Sequence, residues 1–119
     1  MKEIIAIIRP GKDRETKKAL EKIGCLTFTS VRVHGRGKQR GLRYSSLATD
    51  SAEPQFVVMN FLPKKMLYMV VNDRQAKSCV QTIIRANQTS QYGDGKIFVM
   101  DVREVCRIRT GEKGEVAIR

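Results

Sequence analysis

Residues 2–24, KEIIAIIRPGKDRETKKALEKIG, decide the fold, because two apolar periodicities meet there with a stop between them. Ile4, Ile5, Ala6, Ile7 and Ile8 form a short, nearly continuous apolar run that Pro10 ends, which is the pattern of a strand. Beyond the proline the spacing changes. Thr16, Ala19, Leu20 and Ile23 fall on one helical face, with Asp13 placed to cap the helix and Gly24 to stop it. Thr27–Val33 is β-branched and runs into Gly35, a second strand. The chain therefore opens strand–helix–strand.

Working outward, the same order returns. Val57–Val71 reads as a third strand region broken near Pro63, and Asn72 and Asp73 are placed to cap a second helix. Ala76, Cys79, Val80, Ile83, Ile84 and Asn87 recur at helical spacing on its inner face. Lys96–Val102 then alternates Ile97, Val99 and Asp101 against Phe98, Met100 and Val102, a fourth strand. Two strand–helix–strand units make the ferredoxin-like split βαβ sandwich of the α+β class, an antiparallel sheet with two helices on one face. Its other face is left bare and needs a cover. The pattern is consistent with one domain over residues 1–119, with Arg103–Arg119 an irregular or edge segment. Such a scaffold hosts many functions and selects none.

Composition narrows the partners. The 119 residues carry 23 Lys+Arg against 12 Asp+Glu, a formal charge of +11, which favours anions: nucleotides, nucleic acid, acidic metabolites or an acidic protein. Cys25, Cys79 and Cys106 are odd in number and lack CxxC spacing, so they read as reduced, partly buried thiols of a cytoplasmic protein. His34, the one histidine, cannot anchor a metal alone and reads as a strand-end residue. No stretch approaches the ~20 apolar residues of a spanning helix.

Catalytic constellations are absent from the pattern: no Ser/His/Asp or Cys/His set, no paired carboxylates and no zinc spacing, so the chain reads as a non-enzyme. Asp94, between Gly93 and Gly95, reads as a turn former. Three clusters point instead to anion binding. Gly35-Arg36-Gly37-Lys38-Gln39-Arg40-Gly41 interleaves glycines and bases after a strand, so that backbone N–H groups and charge converge; a solvated basic turn fits it as well. Tyr92-Gly93-Asp94-Gly95-Lys96-Ile97-Phe98 delivers a lysine at a strand start, although Ile97 excludes a P-loop. In Arg107-Ile108-Arg109-Thr110-Gly111, an extended backbone places two guanidiniums on one face roughly 6–7 Å apart, either a phosphate clamp or a charged edge strand. From Gly35 to about Phe56 runs the longest stretch with no period, of a length that is usually functional or disordered.

At these residues the chain resembles the PII nitrogen regulators (GlnB/GlnK-like). Gly93-Asp94-Gly95-Lys96-Ile97-Phe98-Val99 and Arg107-Ile108-Arg109-Thr110-Gly111-Glu112 look like that family's C-terminal signature. Ala6-Ile7-Ile8-Arg9-Pro10, Asn60-Phe61-Leu62-Pro63-Lys64 and Thr82-Ile83-Ile84-Arg85 fall in family order, so nearly the whole chain is covered. The resemblance implies a trimer whose sheets face inward, with ATP or ADP in clefts between subunits. By matching position Ile7 and Val70 would flank the base and Thr29 would contact it. Lys38, Thr89, Gly93, Gly95, Lys96, Arg107 and Arg109 would surround the phosphates. Gln39 would help hold Mg²⁺ and 2-oxoglutarate, Lys64 would pair with a carboxylate of the keto acid, and backbone from Gly37 to Gly41 would complete that site. Residues 35–56 correspond to the effector loop.

In that loop the chain departs from the common pattern: it is several residues longer, Val57 stands where the modified tyrosine usually is, and Tyr44 lies in another context. A long loop with this glycine–base root resembles the nitrogenase-associated NifI branch. It implies a regulator that binds and inhibits the dinitrogenase component, relieved by 2-oxoglutarate, as a homotrimer or mixed with a sister paralogue. The alternative is a general PII protein that blocks an ammonium transporter or controls nitrogen-assimilation enzymes. Transporter-blocking loops carry an arginine near the tip, whereas Ser45–Gln55 has no base and contains Asp50 and Glu53. A nucleic-acid-binding module is the third possibility; the few aromatics form no stacking stripe to support it.

Overall fold

A computed structural model describes residues 1–37 and 61–119 in full, and in between the backbone of two short strands, Arg43–Ser46 and Gln55–Val58. The order is β1 (Lys2–Ile8), α1 (Asp13–Lys22), β2 (Thr29–Gly35), β3 (Arg43–Ser46), β4 (Gln55–Val58), β5 (Leu62–Val71), α2 (Asp73–Asn87) and β6 (Lys96–Asp101), with short 3₁₀ turns at Pro10–Lys12 and Gly114–Ile118. β2, β5, β1 and β6 lie side by side in that order, every neighbouring pair antiparallel, and β3 and β4 pair as a separate two-stranded unit. The split βαβ architecture read from the sequence is the observed one.

Alternation places the core. Ile4, Ala6 and Ile8 of β1 and Leu67, Met69 and Val71 of β5 point to one face of the sheet, where they pack with Leu20 of α1 and Ala76, Cys79 and Ile83 of α2. Truncating a side chain such as Ile4 or Ile83 to Ala there costs roughly 2–5 kcal/mol. Asn87 ties the helices together by donating from Nδ2 to Thr16 Oγ1 at 2.9 Å. The opposite face carries Ile5, Ile7, Met66, Tyr68, Phe98 and Met100 with no layer over it among the described residues, and Phe98 is 49% exposed.

Several local expectations change. Asp13 does not cap α1. The 3₁₀ turn feeds directly into the helix, Asp13 N–H already bonds Pro10 O, and Lys12 at the cap is helical rather than extended, so no side-chain cap forms. Asp13 instead pairs with Lys17 at 2.9 Å. Asn72 does cap α2, accepting from Gln75 N at 2.9 Å, and Gly24 ends α1 at φ +84°. The third strand region is two strands, since β4 pairs only with β3. Pro63 lies inside β5 opposite His34, where the β1 ladder has already ended at Lys65, so its missing N–H leaves no gap on that side. The aperiodic stretch contains the β3–β4 pairing, Arg43 to Val58 and Ser46 to Gln55. Of the cysteines, Cys25 and Cys79 are buried while Cys106 is exposed.

Candidate functional site

The ends of β1 and β2 and the starts of β5 and β6 meet at one edge of the sheet and form a cleft of about 510 Å³. Ile7 and Phe98 supply its apolar floor, Gly35, Arg36 and Gly37 one wall, Leu62 and Lys64 another, and the turn from Tyr92 to Lys96 the rim. Lysine and arginine side chains over a small apolar floor, beside glycine backbone, suit an anion with a flat apolar part. Of the residues that the resemblance implied, Ile7, Gly37, Lys64, Gly93, Gly95 and Lys96 line this one cleft. Lys38 and Gln39, which continue from Gly37, lie outside the described residues. Among the described residues no group of three or more His, Cys, Asp or Glu side chains could hold a metal.

The rim is built by hydrogen bonds that the sequence did not reveal. Asp94 accepts from Arg9 Nη1 at 2.6 Å, from the Thr89 backbone N–H at 2.7 Å and from the Thr89 hydroxyl. Arg9 also donates from Nη2 to Tyr92 O at 2.8 Å, and Lys64 Nζ donates to Gly93 O at 2.8 Å. The Thr89 bonds, side chain first, with that of Arg9 hold the Asp94 carboxyl down to about 2. Burial, then the Arg9 cation, pull the Lys64 ammonium below the ordinary lysine value. Gly95 lies so close to β1 that a Cβ there would meet Ile7 O at 1.8 Å, and its φ of +111° is left-handed as well.

The remaining implied residues are elsewhere. Thr29 begins β2 opposite Tyr68, and Val70 faces Glu3 near the far end of β5. Ile7 faces Met66, four residues from Val70, which is roughly 13 Å along the strand. No single base ring spans that gap, so Ile7 and Val70 of one chain cannot flank the same base. The C-terminal segment sits at Val70's end, where Arg119 and Ile118 line a hollow with Val70, Thr27 and Leu26.

Arg107 and Arg109 do not share an extended face. Residues 106–113 form a tight turn closed by Gly111 N–H to Arg107 O at 2.7 Å, Arg107 N–H to Glu112 O at 2.8 Å and a bridge between Cys106 and Lys113. Arg107 pairs with Glu112 at 3.0 Å and donates to Val116 O and Arg119 O at 2.8 and 3.0 Å, so its guanidinium fastens the chain's own C-terminal segment. Arg109 is exposed on the turn. The sequence reading gave no site role to Arg9, whose position before Pro10 at a strand end was its one visible signal, while Arg36 of the first glycine–base cluster lines the cleft.

The family model for nitrogen regulatory protein P-II matches residues 1–112. The chain is 46% identical, over the full length of both, to the "nitrogen fixation nifHD1 region GlnB-like protein 2" of Methanosarcina barkeri. It is 47% identical to the "nitrogen regulatory protein P-II 2" of Methanothermobacter thermautotrophicus, covering 99% of this chain and 97% of the relative. Among solved structures, Arabidopsis thaliana PII bound to citrate superposes with a TM-score of 0.75 at 34% identity, covering 99% of this chain and 89% of that one. With the signature turn at the rim of the cleft and the match spanning both βαβ units, the chain belongs to the nitrogen regulatory protein P-II family.

Proposed function

We propose that this chain is a NifI-type regulator of nitrogen fixation that reads ATP or ADP together with 2-oxoglutarate and inhibits the dinitrogenase component. One observation carries the nucleotide part: the residues that the resemblance assigns to one ligand lie towards two opposite ends of the same sheet. Ile7, Thr89, Gly93, Gly95, Lys96 and Lys64 stand at one end, and Thr29, Val70, Arg107 and Arg109 at the other. A site using both needs the first end of one chain against the second end of the next. Three chains packed by their apolar sheet faces bring this about and cover Ile5, Met66, Tyr68 and Phe98. The subunits are identical, or mixed with a sister paralogue, as the number 2 in both relatives' names suggests.

In this reading Lys64 takes a carboxylate of 2-oxoglutarate, Gly37 to Gly41 supply backbone donors, and Gln39 helps hold Mg²⁺ between keto acid and phosphates. The solved relative bound to citrate, also a polycarboxylate, favours such a ligand. Residues 1–119 act as one cytoplasmic unit, and residues 35–56 are its effector loop. The relative's nifHD1-region name favours the nitrogen-fixation partner. Purified chain should inhibit nitrogenase in an activity assay, and ATP with 2-oxoglutarate should restore it. Deleting Ser45–Gln55 should abolish inhibition while both ligands still bind; a deletion variant that inhibits as strongly as the intact chain refutes the loop assignment.

A further inference from the structure

Asp94 lies close enough for its charge to be felt at Lys64, and its own hydrogen bonds hold the rim together. Its two oxygens accept from the Thr89 N–H at 2.7 Å, the Thr89 hydroxyl and Arg9 Nη1 at 2.6 Å. These bonds close residues 89–94 into a loop and tie that loop to the residue that follows β1. Arg9 makes the tie two-pronged, since its other nitrogen donates to Tyr92 O at 2.8 Å. The enclosed segment needs such restraint. Ser90 sits at φ +65°, a conformation that costs a non-glycine residue roughly 1–2 kcal/mol, and Gly93 and Gly95 are at +100° and +111°. Few side chains pack on it, as Thr89, Ser90, Gln91 and Tyr92 are all exposed.

We propose that Asp94, with Arg9 as its anchor, is the positioning residue of the nucleotide loop: it fixes Gly93, Gly95 and Lys96 against the end of β1 before any ligand arrives. This rests on reading the cleft as the nucleotide site. Asp94 itself touches no ligand. An anionic carboxylate at an anion site would repel phosphate if it were free, and here both oxygens of Asp94 are engaged by donors, Oδ1 by Arg9 and the Thr89 hydroxyl and Oδ2 by the Thr89 N–H. Thr89 belongs to the same network, since its hydroxyl is already given to Asp94. Affinity follows because a preformed loop does not have to be ordered on binding.

The test uses the full chain and two variants. Asp94→Asn keeps the size but offers an NH₂ where only donors face it. Arg9→Lys keeps the charge but offers one nitrogen where the guanidinium spans Asp94 and Tyr92 O. Amide hydrogen exchange without ligand should show Gly93–Lys96 exchanging at least tenfold faster in both variants, with β1, β5 and α2 as protected as in the parent. ATP affinity by calorimetry should fall at least tenfold in both. Loop amides that keep their protection overturn the positioning role. Loosened amides with unchanged ATP affinity overturn its bearing on the ligand. If Asp94→Asn does not fold, Arg9→Lys carries the same two readouts. A parent chain that takes no ATP while its variants loosen at the loop overturns the nucleotide reading, and leaves the Asp94–Arg9 anchoring of the rim upheld.

Discussion

The two ends of the sheet hold the same kind of residue in opposite states. At the glycine loop, backbone and acid are spent on one another: Asp94 satisfies Thr89 and Arg9, and Lys64 braces Gly93 O. The result is a rim whose Lys96 is exposed at the cleft. At the C-terminal turn the cation itself is spent, since Arg107 is held by Glu112, Val116 O and Arg119 O. If both ends take one anion, as proposed, the first presents Lys96 exposed, whereas at the second Arg107 must release its own bonds to reach it. In the proposed reading a ligand shared between them has an unequal effect on its two halves, since Arg107 has three bonds to exchange where Lys64 has its bond to Gly93 O. That asymmetry suits a sensor, because a ligand shifts a conformational equilibrium only through unequal affinity for its states.

The largest effect should come from filling the space between the loop and β1. In Gly95→Ala the new Cβ would stand 1.8 Å from Ile7 O and 2.9 Å from Ile7 C, both backbone atoms of the central strand, so neither partner has a side chain to move aside. The left-handed φ alone costs about 1 kcal/mol. We expect a clear drop in the urea midpoint and complete loss of ATP binding. A variant with parental stability would mean that the loop is not seated on β1, and the contrast between the ends would fall with it.

The second prediction compares the cations directly. Lys96→Ala should weaken ATP binding by at least the ~1.5 kcal/mol of one charge-assisted hydrogen bond, about tenfold. Arg107→Ala should cost less, because in the free chain its guanidinium already makes bonds that binding must exchange. Removing it should also loosen Val116–Arg119, visible as faster exchange there. Equal losses by calorimetry would show that both ends are equally ready.

How much of this was legible in the sequence follows from the range of each interaction. Ile4, Ala6 and Ile8 against Thr16 and Leu20 announce strand and helix because periodicity is local, and α2 was readable with its Asn72 cap for the same reason. Asp13 misled because the Pro10–Lys12 turn, invisible as a period, runs straight into α1 and makes Asp13 its first helical residue rather than the extended residue before it. Arg43–Ser46 is polar and four residues long, so its pairing with Gln55–Val58 left no alternation to detect. The rim depends on contacts between residues 9 and 94, and no spacing rule links positions 85 apart. The extended reading of Arg107–Gly111 failed because backbone bonds across 106–113 fold it into a turn, and side-chain identity does not encode them. The resemblance put residues of both ends on one ligand, but only the strand register separates Ile7 from Val70.

The smallest effect is one of acid. Asp94 titrates near 2 in the folded chain against an ordinary 3.8, so its folded value is depressed. A depressed carboxyl stabilises its surroundings fully above the ordinary value, and that contribution is lost as the pH falls from about 4 towards 2. At neutral pH nothing changes, and the loop should stay closed through the whole range in which ligands bind. Below it, protonation removes an acceptor from Thr89 N–H and the partner of Arg9, so the rim should open before the core does. Carboxyl carbon shifts by NMR should place the Asp94 midpoint near 2, and the Thr89 amide should lose its hydrogen-bonded shift in step with it. Lys2 and Asp101 also pair at the sheet edge, and Asp101 too is held below its ordinary value by Lys2, so global unfolding curves would mix the two events. The Thr89 amide reports only the loop. A midpoint at the ordinary 3.8 would mean that Asp94 is not saturated in solution, and the glycine end would then be no better prepared than the end held by Arg107.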